Sequence, residues 1–245
     1  MLKYIETADI ETASADYASR FEGAVGQYFL DQQAAITLNL LVDFPGARVL
    51  DVGGGHGQLA APLAENGFEV MVTGSADSCG AALEQRVSRK GAHIDVSYLT
   101  CDTLNLPFED KSFDVVISFR LLPHVEHWQG LIGELCRVAN KSVIIDYADK
   151  RSSNILYGQL FGMKKKLEGN TRPFTLYSRS QISEQFRKNG FSAPSFKPEF
   201  LLPMVFHRKL KSRTFSALAE NLLRWTGLTH LFGSPVILRS DRVDD

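Results

Sequence analysis

The chain has 245 residues, of which 44% are hydrophobic and 22% charged, a size and composition that suit one large α/β domain with a buried core. A formal net charge of −1 gives no overall electrostatic reason to expect a nucleic-acid partner. No apolar stretch is long enough to span a membrane, and the N-terminus lacks the apolar region of a signal peptide. We therefore expect a soluble, cytoplasmic protein whose cysteines stay reduced, and their spacing predicts no metal site.

Helices are predicted in the first 45 residues, over 16–21 and 26–44, because apolar side chains recur there on one side. The dipeptide Pro45-Gly46 ends this section. From residue 47 to residue 147, short apolar runs then alternate with helix-like segments. The predicted strands cover 47–52, 68–73, 94–99, 113–118 and 141–147, and the predicted helices cover 59–65, 78–89 and 127–138. This alternation predicts βαβ units and a parallel sheet that is covered on both faces.

The pattern changes after residue 149. Helices are predicted over 151–167, 178–188 and 208–225, and late strands over 191–196 and 235–239. The helix over 178–188 begins with a Ser cap and ends at Asn189-Gly190. Phe215, Leu218, Leu222 and Trp225 share one face of the helix over 208–225. We expect helical additions to the sheet domain at about 150–177 and 203–232.

Four glycines occupy five positions directly after the first predicted strand, in the stretch VLDVGGGHG over 49–57. Glycines permit positive φ and let backbone N–H groups approach a ligand closely. In an open parallel sheet, ligands lie outside the carboxyl ends of the strands. The stretch therefore favours a nucleotide-type site over a tight turn without a ligand. A dinucleotide fingerprint would need a small residue where Gln58 stands.

The stretch VLDVGGGHG resembles the first motif of the class I S-adenosylmethionine-dependent methyltransferases. Further stretches resemble the family in the same order: YLTCD and LPF over 98–108, KSFDVV over 111–116, and LCRV with the next strand over 135–146. LLPHV, over 121–125, takes the place of the family's segment after the fourth strand. The resemblance implies a methyltransferase acting on a small or lipid-like molecule by direct methyl transfer, with S-adenosyl-L-methionine as cofactor.

The resemblance also implies the architecture. We expect a Rossmann-like, doubly wound, mostly parallel seven-stranded sheet with an antiparallel last hairpin. Residues 46–245 would form the methyltransferase domain, and residues 1–45 a helical lid.

The same resemblance assigns the cofactor-binding residues. The amino acid end of the cofactor would be held by Asp51 and the glycine turn, with its Gly53, Gly55 and Gly57. The adenine amine would donate to Asp102, with Thr103 beside it, because a carboxylate accepts from an NH2 group. The methionine moiety would lie near Phe119 and Arg120, since a sulfonium suits an aromatic pocket.

The chain departs from the family at the end of the second strand. The family places an acidic residue there to bind the ribose hydroxyls, whereas this chain has Ala76, with Asp77 one residue later. Asp77 either replaces that acid or caps the helix that follows.

Candidates for the acceptor side are fewer. Methyl transfer needs a base only when the acceptor arrives protonated, and His124, after the fourth strand, is the candidate for that role or is a structural histidine at a helix start. Tyr17 lies in a segment resembling the N-terminal lid of some family members. Tyr147, at the end of the fifth strand, and Arg172, in a loop, are further candidates for contact with the acceptor.

A basic cluster at 208–213 consists of Arg208, Lys209, Lys211 and Arg213. Cations at a helix N-terminus oppose the helix dipole, so helix stability does not explain them. They indicate either an anionic partner, such as a membrane surface or an anionic substrate, or a solvated basic face.

Three rival functions remain to be compared. A methyltransferase fold without catalysis would serve as a binding protein, and the loss of an acid at Ala76 is compatible with it. An NAD(P)-dependent oxidoreductase is disfavoured by Gln58. Nucleic-acid modification is disfavoured by the charge and by the stretch ISFRLLP after the fourth strand.

Overall fold

The fold is built on one seven-stranded sheet, and the computed structural model describes residues 6–55, 57–89, 96–152 and 174–243. The strands are β1 (Arg48–Val52), β2 (Glu69–Gly74), β3 (Val96–Thr100), β4 (Phe113–Ser118), β5 (Ala139–Tyr147), β6 (Ser195–Pro198) and β7 (Val236–Asp241). Their order in the sheet is β3-β2-β1-β4-β5-β7-β6. Strands β1 to β5 pair in parallel, and β7 is antiparallel to both β5 and β6. The predicted α/β class, with its mostly parallel sheet and antiparallel last hairpin, is confirmed.

The helices lie before, between and after the strands. They are α1 (Ala8–Thr12), α2 (Ala15–Ser19), α3 (Gly23–Leu40), α4 (Ala60–Glu65), α5 (Asp77–Arg89), α6 (Trp128–Val138), α7 (Arg179–Lys188), α8 (Met204–Leu210), α9 (Arg213–Trp225) and α10 (Leu228–Phe232). A 3-10 turn spans Leu122–His124. Helix α7 begins where the sequence predicts, because Ser178 and Gln181 form a reciprocal capping box.

Both faces of the central strands are buried, which explains their continuous apolar character. In β1, Leu50 belongs to a core cluster with Leu131 and Leu135 of α6. Its neighbour Val49 belongs to a second cluster, with Leu40 of α3 and Leu63 of α4. Successive residues of a strand point to opposite faces, so helices cover the sheet on both sides.

The helix predicted over 208–225 is wrong, because the structure divides this segment into α8 and α9. Lys211 has a left-handed φ of 52° that ends α8, and the Ser212 hydroxyl caps α9 by accepting from Phe215 N. Arg208 and Lys209 therefore lie in the last turn of α8, where cations are favoured by the helix dipole. The dipole argument for a partner is wrong for these two residues.

Other differences concern element boundaries. The N-terminal prediction missed α1, and β6 starts at Ser195 rather than at residue 191, because Phe191 makes an isolated bridge with Arg242 instead. The helix predicted over 151–167 lies almost wholly outside the described residues, as do Arg172 and the start of the third predicted strand. Among the helices that are described, none is both long and apolar enough to cross a bilayer.

Candidate active site

The glycine turn lies at the carboxyl edge of the sheet, between β1 and α4. Gly53 has a φ of +75° and donates its N–H to Thr73 O of β2 at 2.8 Å. At Gly54, a Cβ would lie 2.1 Å from Asp51 Oδ2. Position 54 requires glycine because any side chain there would collide with the Asp51 carboxylate.

Asp51 itself is buried, with 2% of its surface exposed. Its Oδ1 atom has no hydrogen-bond partner in the part of the chain that the structure describes. Burial raises the pKa of Asp51 to about 7, because an unpaired charge is costly away from water. A ligand that brings an N–H donor or a positive charge to this carboxylate would relieve that cost.

Three other residues predicted to bind the cofactor, Thr103, Asp102 and Asp77, differ in their burial. Thr103 is fully buried, and its hydroxyl is likewise without a partner among the described residues. Asp102 is half-buried and accepts from Leu104 N at 3.0 Å. Asp77 is exposed in the first turn of α5, where its carboxylate accepts from the Thr100 hydroxyl at the end of β3.

A carboxylate does reach the end of β2, but it comes from the N-terminal segment. Asp9 of α1 is fully buried and accepts from both the backbone N–H and the hydroxyl of Ser75. A Cβ at Gly53 would lie 3.6 Å from Asp9 Cβ, so α1 packs against the glycine turn. Sequence reasoning missed Asp9, because no local pattern marks a contact between residues 66 positions apart.

A cavity of about 150 Å³ lies at the carboxyl ends of β4 and β5. The predicted residues Tyr17, Arg120, His124 and Tyr147 all line it. Phe119 does not, since it is 2% exposed and packs in the core cluster on the α3 and α4 side of the sheet. Tyr147 is fully buried, and its hydroxyl has no partner within the described ranges.

Arg120 connects the elements around the cavity. Its φ of 61° is a strained, left-handed conformation, and its N–H donates to Asp146 Oδ1 at 2.6 Å. The guanidinium donates to Gln33 Oε1 at 3.1 Å and lies 3.7 Å from the ring centroid of Phe21. Helix α3 and the segment before it are therefore tied to the ends of β4 and β5.

Two acidic residues in the cavity wall were missed by sequence reasoning. Asp146, at the end of β5, is 3% exposed, and Glu199, directly after β6, is 2% exposed. Burial raises the pKa of Asp146 to about 6, although the backbone N–H and guanidinium of Arg120 act in the opposite direction. Asp146 stands at the end of a predicted strand, a position that could have drawn attention to it, whereas nothing local marks Glu199.

Comparison with known proteins finds methyltransferases that match the central part of the chain. Residues 50–145 match the family model described as a methyltransferase domain. Phthiotriol/phenolphthiotriol dimycocerosates methyltransferase 1 of Mycobacterium ulcerans is 33% identical over 114 residues, which are 46% of this chain and 41% of that protein. A demethylmenaquinone methyltransferase of Beutenbergia cavernae is 38% identical over 86 residues, 35% of this chain and 33% of that protein. Over these residues the chain is similar to methyltransferases.

Solved structures agree with this assignment at the level of the fold. Magnesium protoporphyrin IX methyltransferase from Synechocystis PCC 6803, with bound S-adenosylhomocysteine, has a TM-score of 0.65 at 18% identity and is covered over 93% of both chains. The same enzyme with bound S-adenosylmethionine has a TM-score of 0.63 at 18% identity, covering 99% of this chain and 100% of that one. The chain spans less than half the length of the curated relatives named above.

The predicted family is confirmed for residues 50–145, and the Synechocystis enzyme that shares the fold binds the predicted cofactor, S-adenosylmethionine. The acceptor atoms of Asp51 and Thr103 that lack partners fit a ligand carrying an ammonium group and N–H donors. The assignment of individual residues to the cofactor stays a prediction.

Proposed function

We propose that the protein transfers a methyl group from S-adenosylmethionine to a small or lipid-like acceptor held in the cavity beside Arg120. The position of this cavity carries the proposal. Strand β1, which ends in the glycine turn, pairs in parallel with β4, and β4 pairs in parallel with β5. A donor site at the glycine turn and an acceptor cavity at the ends of β4 and β5 are therefore neighbours on one edge of the sheet.

In this proposal the cofactor supplies an electrophilic methyl group, and the chain supplies binding and orientation. Asp51, the glycine turn, Asp102 and Thr103 would hold the cofactor, while Tyr17, His124 and Tyr147 would contact the acceptor. Residues 1–45 would act as a lid, because Tyr17 and Phe21 line the cavity and α1 packs on the glycine turn. A lid that excludes water favours a displacement whose rate depends on positioning.

Relatives named for dimycocerosates and for demethylmenaquinone support an acceptor of lipid or quinone type. The cavity volume of about 150 Å³ limits the part of the acceptor that is enclosed to a small group, so a longer tail would extend out of the cavity. A cytoplasmic location and the absence of nucleic acid as a partner belong to the same proposal.

Calorimetric titration tests the cofactor half of this proposal. We expect micromolar binding of S-adenosylmethionine and S-adenosylhomocysteine, with NADH as the control that does not bind. Binding of NADH alone would support an oxidoreductase. If none of the three compounds binds, the chain is a methyltransferase fold that serves as a binding protein.

The C-terminal helices present an apolar surface, which we define by Phe206, Leu210, Phe215, Leu218, Leu222, Trp225, Leu231 and Phe232. Helix α9 is turned with its polar residues inward, since Ser216 and Glu220 are fully buried while Leu218 is 65% and Trp225 is 85% exposed. Exposed apolar patches of this kind mark binding surfaces.

The exposed charges carried by the C-terminal helices themselves are of one sign. Lys209, Lys211 and Arg224 are exposed beside it, and Glu220, the only acidic residue between positions 200 and 235, is buried. We propose that the apolar surface rests on an anionic membrane, from which a lipid-like acceptor could reach the cavity.

Sedimentation with lipid vesicles tests the membrane contact. We expect binding to vesicles containing phosphatidylglycerol, weaker binding to pure phosphatidylcholine, and a loss of affinity with rising salt. Leu222→Ser should weaken binding, whereas Val42→Ser, at a site that is 70% exposed elsewhere on the chain, should not. Equal binding by the two variants, or self-association of the protein in place of vesicle binding, contradicts the proposal.

A further inference from the structure

The feature that the proposed function does not use is the carboxylate of Glu199 in the cavity wall. The backbone on either side of it is fixed: Glu199 N donates to Pro235 O at 2.9 Å, and Glu199 O accepts from Arg224 at 3.1 Å. The side chain is 2% exposed, and its Oε1 atom has no hydrogen-bond partner in the described ranges.

A second buried glutamate, Glu220, is an example of a carboxylate with a structural role. Glu220 is fully buried, and its carboxylate accepts from Leu201 N and Leu202 N, both at 2.9 Å, and lies 3.0 Å from His207 Nε2. Both carboxylate oxygens of Glu220 are therefore paired, as is usual for buried polar groups. Glu199 has no such arrangement, so the fold does not account for a carboxylate at its position.

The charges around Glu199 leave it available to accept a proton. The groups that face it are Asp146 of β5 and Arg120 after β4, with Tyr17 of α2 and His124 of the 3-10 turn also in the cavity wall. Burial, and to a lesser extent the Asp146 carboxylate, raises the pKa of Glu199 to about 8 against the opposing effect of Arg120. Arg120 already compensates Asp146, through its backbone N–H at 2.6 Å and through the charge of its guanidinium, so Glu199 is the second acid for one cation.

The size and walls of the cavity indicate what would bring the proton. A volume of about 150 Å³ is the size of an apolar cavity that holds one benzene ring. Here rings of Tyr17, Phe29 and Phe174 line the walls, and an aromatic guest packs favourably against such rings. A single ring carrying one hydroxyl group matches both the space and the polar end formed by Glu199.

We propose that Glu199 is the catalytic base for methylation of a phenolic hydroxyl whose ring occupies this cavity. The proposal rests on the methyl-transfer function proposed above and names its acceptor class. The phenol donates its hydrogen bond to the Glu199 carboxylate. As an oxygen lone pair forms the new bond to the methyl carbon, the carbon–sulfur bond breaks, its electron pair passes to sulfur, and the phenolic proton passes to Glu199. The products are a methyl ether, S-adenosylhomocysteine and a protonated carboxyl group that later releases its proton to water.

The decisive experiment compares two phenols of different acidity with the variant Glu199→Gln, which preserves shape but cannot accept the proton. At pH 8, 4-methylphenol arrives protonated, whereas 4-nitrophenol is largely ionised before it binds. We expect kcat/KM for 4-methylphenol to fall by roughly 100-fold or more, and kcat/KM for 4-nitrophenol to change far less. Glu184→Gln, at an exposed glutamate of α7 paired with Lys188, is the matched control and should leave both values unchanged.

A binding measurement separates this role from a loss of folding. Calorimetric titration of 4-methylphenol into protein saturated with S-adenosylhomocysteine should show affinity reduced by about 10- to 100-fold in Glu199→Gln, with S-adenosylmethionine binding retained. In addition, the rate with 4-methylphenol should rise with pH and level off near the Glu199 pKa of about 8. This inflection should move to lower pH in Asp146→Asn, because a like charge is removed.

The outcomes distinguish this inference from the proposed function. Equal loss of activity with both phenols assigns Glu199 a structural role and overturns the inference, as does an unchanged rate with 4-methylphenol. Methylation of 2-phenylethanol or benzylamine but of neither phenol also overturns it, while methyl transfer itself stands. If the unmodified protein does not bind S-adenosylmethionine, the proposed function fails, and this inference fails with it.

Discussion

Asp51→Asn is the most informative single change at the glycine turn, because it removes a buried charge with little change of shape. Burial raises the pKa of Asp51 from 3.8 to about 7. Between these values the unfolded chain releases a proton that the folded protein keeps, so stability falls as pH rises. Each pH unit costs about 1.4 kcal/mol, which amounts to about 4 kcal/mol between pH 4 and pH 7.

Asp51→Asn has no carboxyl group that must lose a proton, so its stability relative to the unmodified protein should increase with pH. Urea unfolding without cofactor should show the stability difference between Asp51→Asn and the unmodified protein changing by about 2–3 kcal/mol between pH 5 and pH 7.5, in favour of the variant. Glu109→Gln, which removes an exposed carboxylate, is the control and should show no such trend. Parallel curves of stability against pH for Asp51→Asn and the unmodified protein would refute the reasoning.

The same substitution should weaken the binding of S-adenosylmethionine. A hydrogen bond to a charged group contributes about 1.5–3 kcal/mol, which corresponds to roughly 10- to 100-fold in Kd. The expected result is a protein that is more stable at neutral pH and binds the cofactor less well. A variant that loses stability but keeps its affinity would mean that Asp51 serves the fold and not the ligand.

Three further predictions concern other acidic residues of the chain. Glu220→Gln should lower the free energy of unfolding in urea by about 3 kcal/mol, because it breaks a buried pair with His207 and leaves a buried N–H without a partner; a loss below about 1 kcal/mol contradicts the role. Asp102→Ala should weaken S-adenosylmethionine binding by about 1–3 kcal/mol in calorimetry, and unchanged affinity removes the adenine assignment. Asp9→Asn should release α1 and raise the rate of tryptic cleavage after Arg20 about tenfold; cleavage at the original rate would show that Asp9 does not hold the lid.

The parallel part of the fold was predictable because its signals are local. Each apolar run over 47–147 lies within one strand or overlaps it, and strands buried on both faces need no alternation of polar and apolar residues. The glycine turn was predictable for a similar reason. The side chain that excludes a Cβ at Gly54 is that of Asp51, which lies only three residues earlier in the sequence.

Helix boundaries were predicted less accurately where the backbone conformation of a single residue ends the helix. The break at Lys211 lies inside the segment predicted as one helix over 208–225, and apolar periodicity alone does not report one left-handed residue. The consequence is functional as well as structural. Dividing the segment turns the Leu218 and Trp225 face of α9 outward and places Arg208 at a helix C-terminus, so the argument for a surface partner now depends on exposure and not on the dipole.

The sequence by itself predicted the fold class and the place where a cofactor can lie, because a strand, a glycine turn and a helix are followed by further stretches in the order of the methyltransferase family. Only the tertiary structure decided what surrounds the acceptor. Asp9 accepts a hydrogen bond from Ser75, 66 positions away, and Glu199 lines the same cavity as Asp146 because β6 and β7 return antiparallel beside β5. Such pairs leave no periodicity and no motif, because their chemistry arises when distant segments are buried together and a carboxylate loses its water.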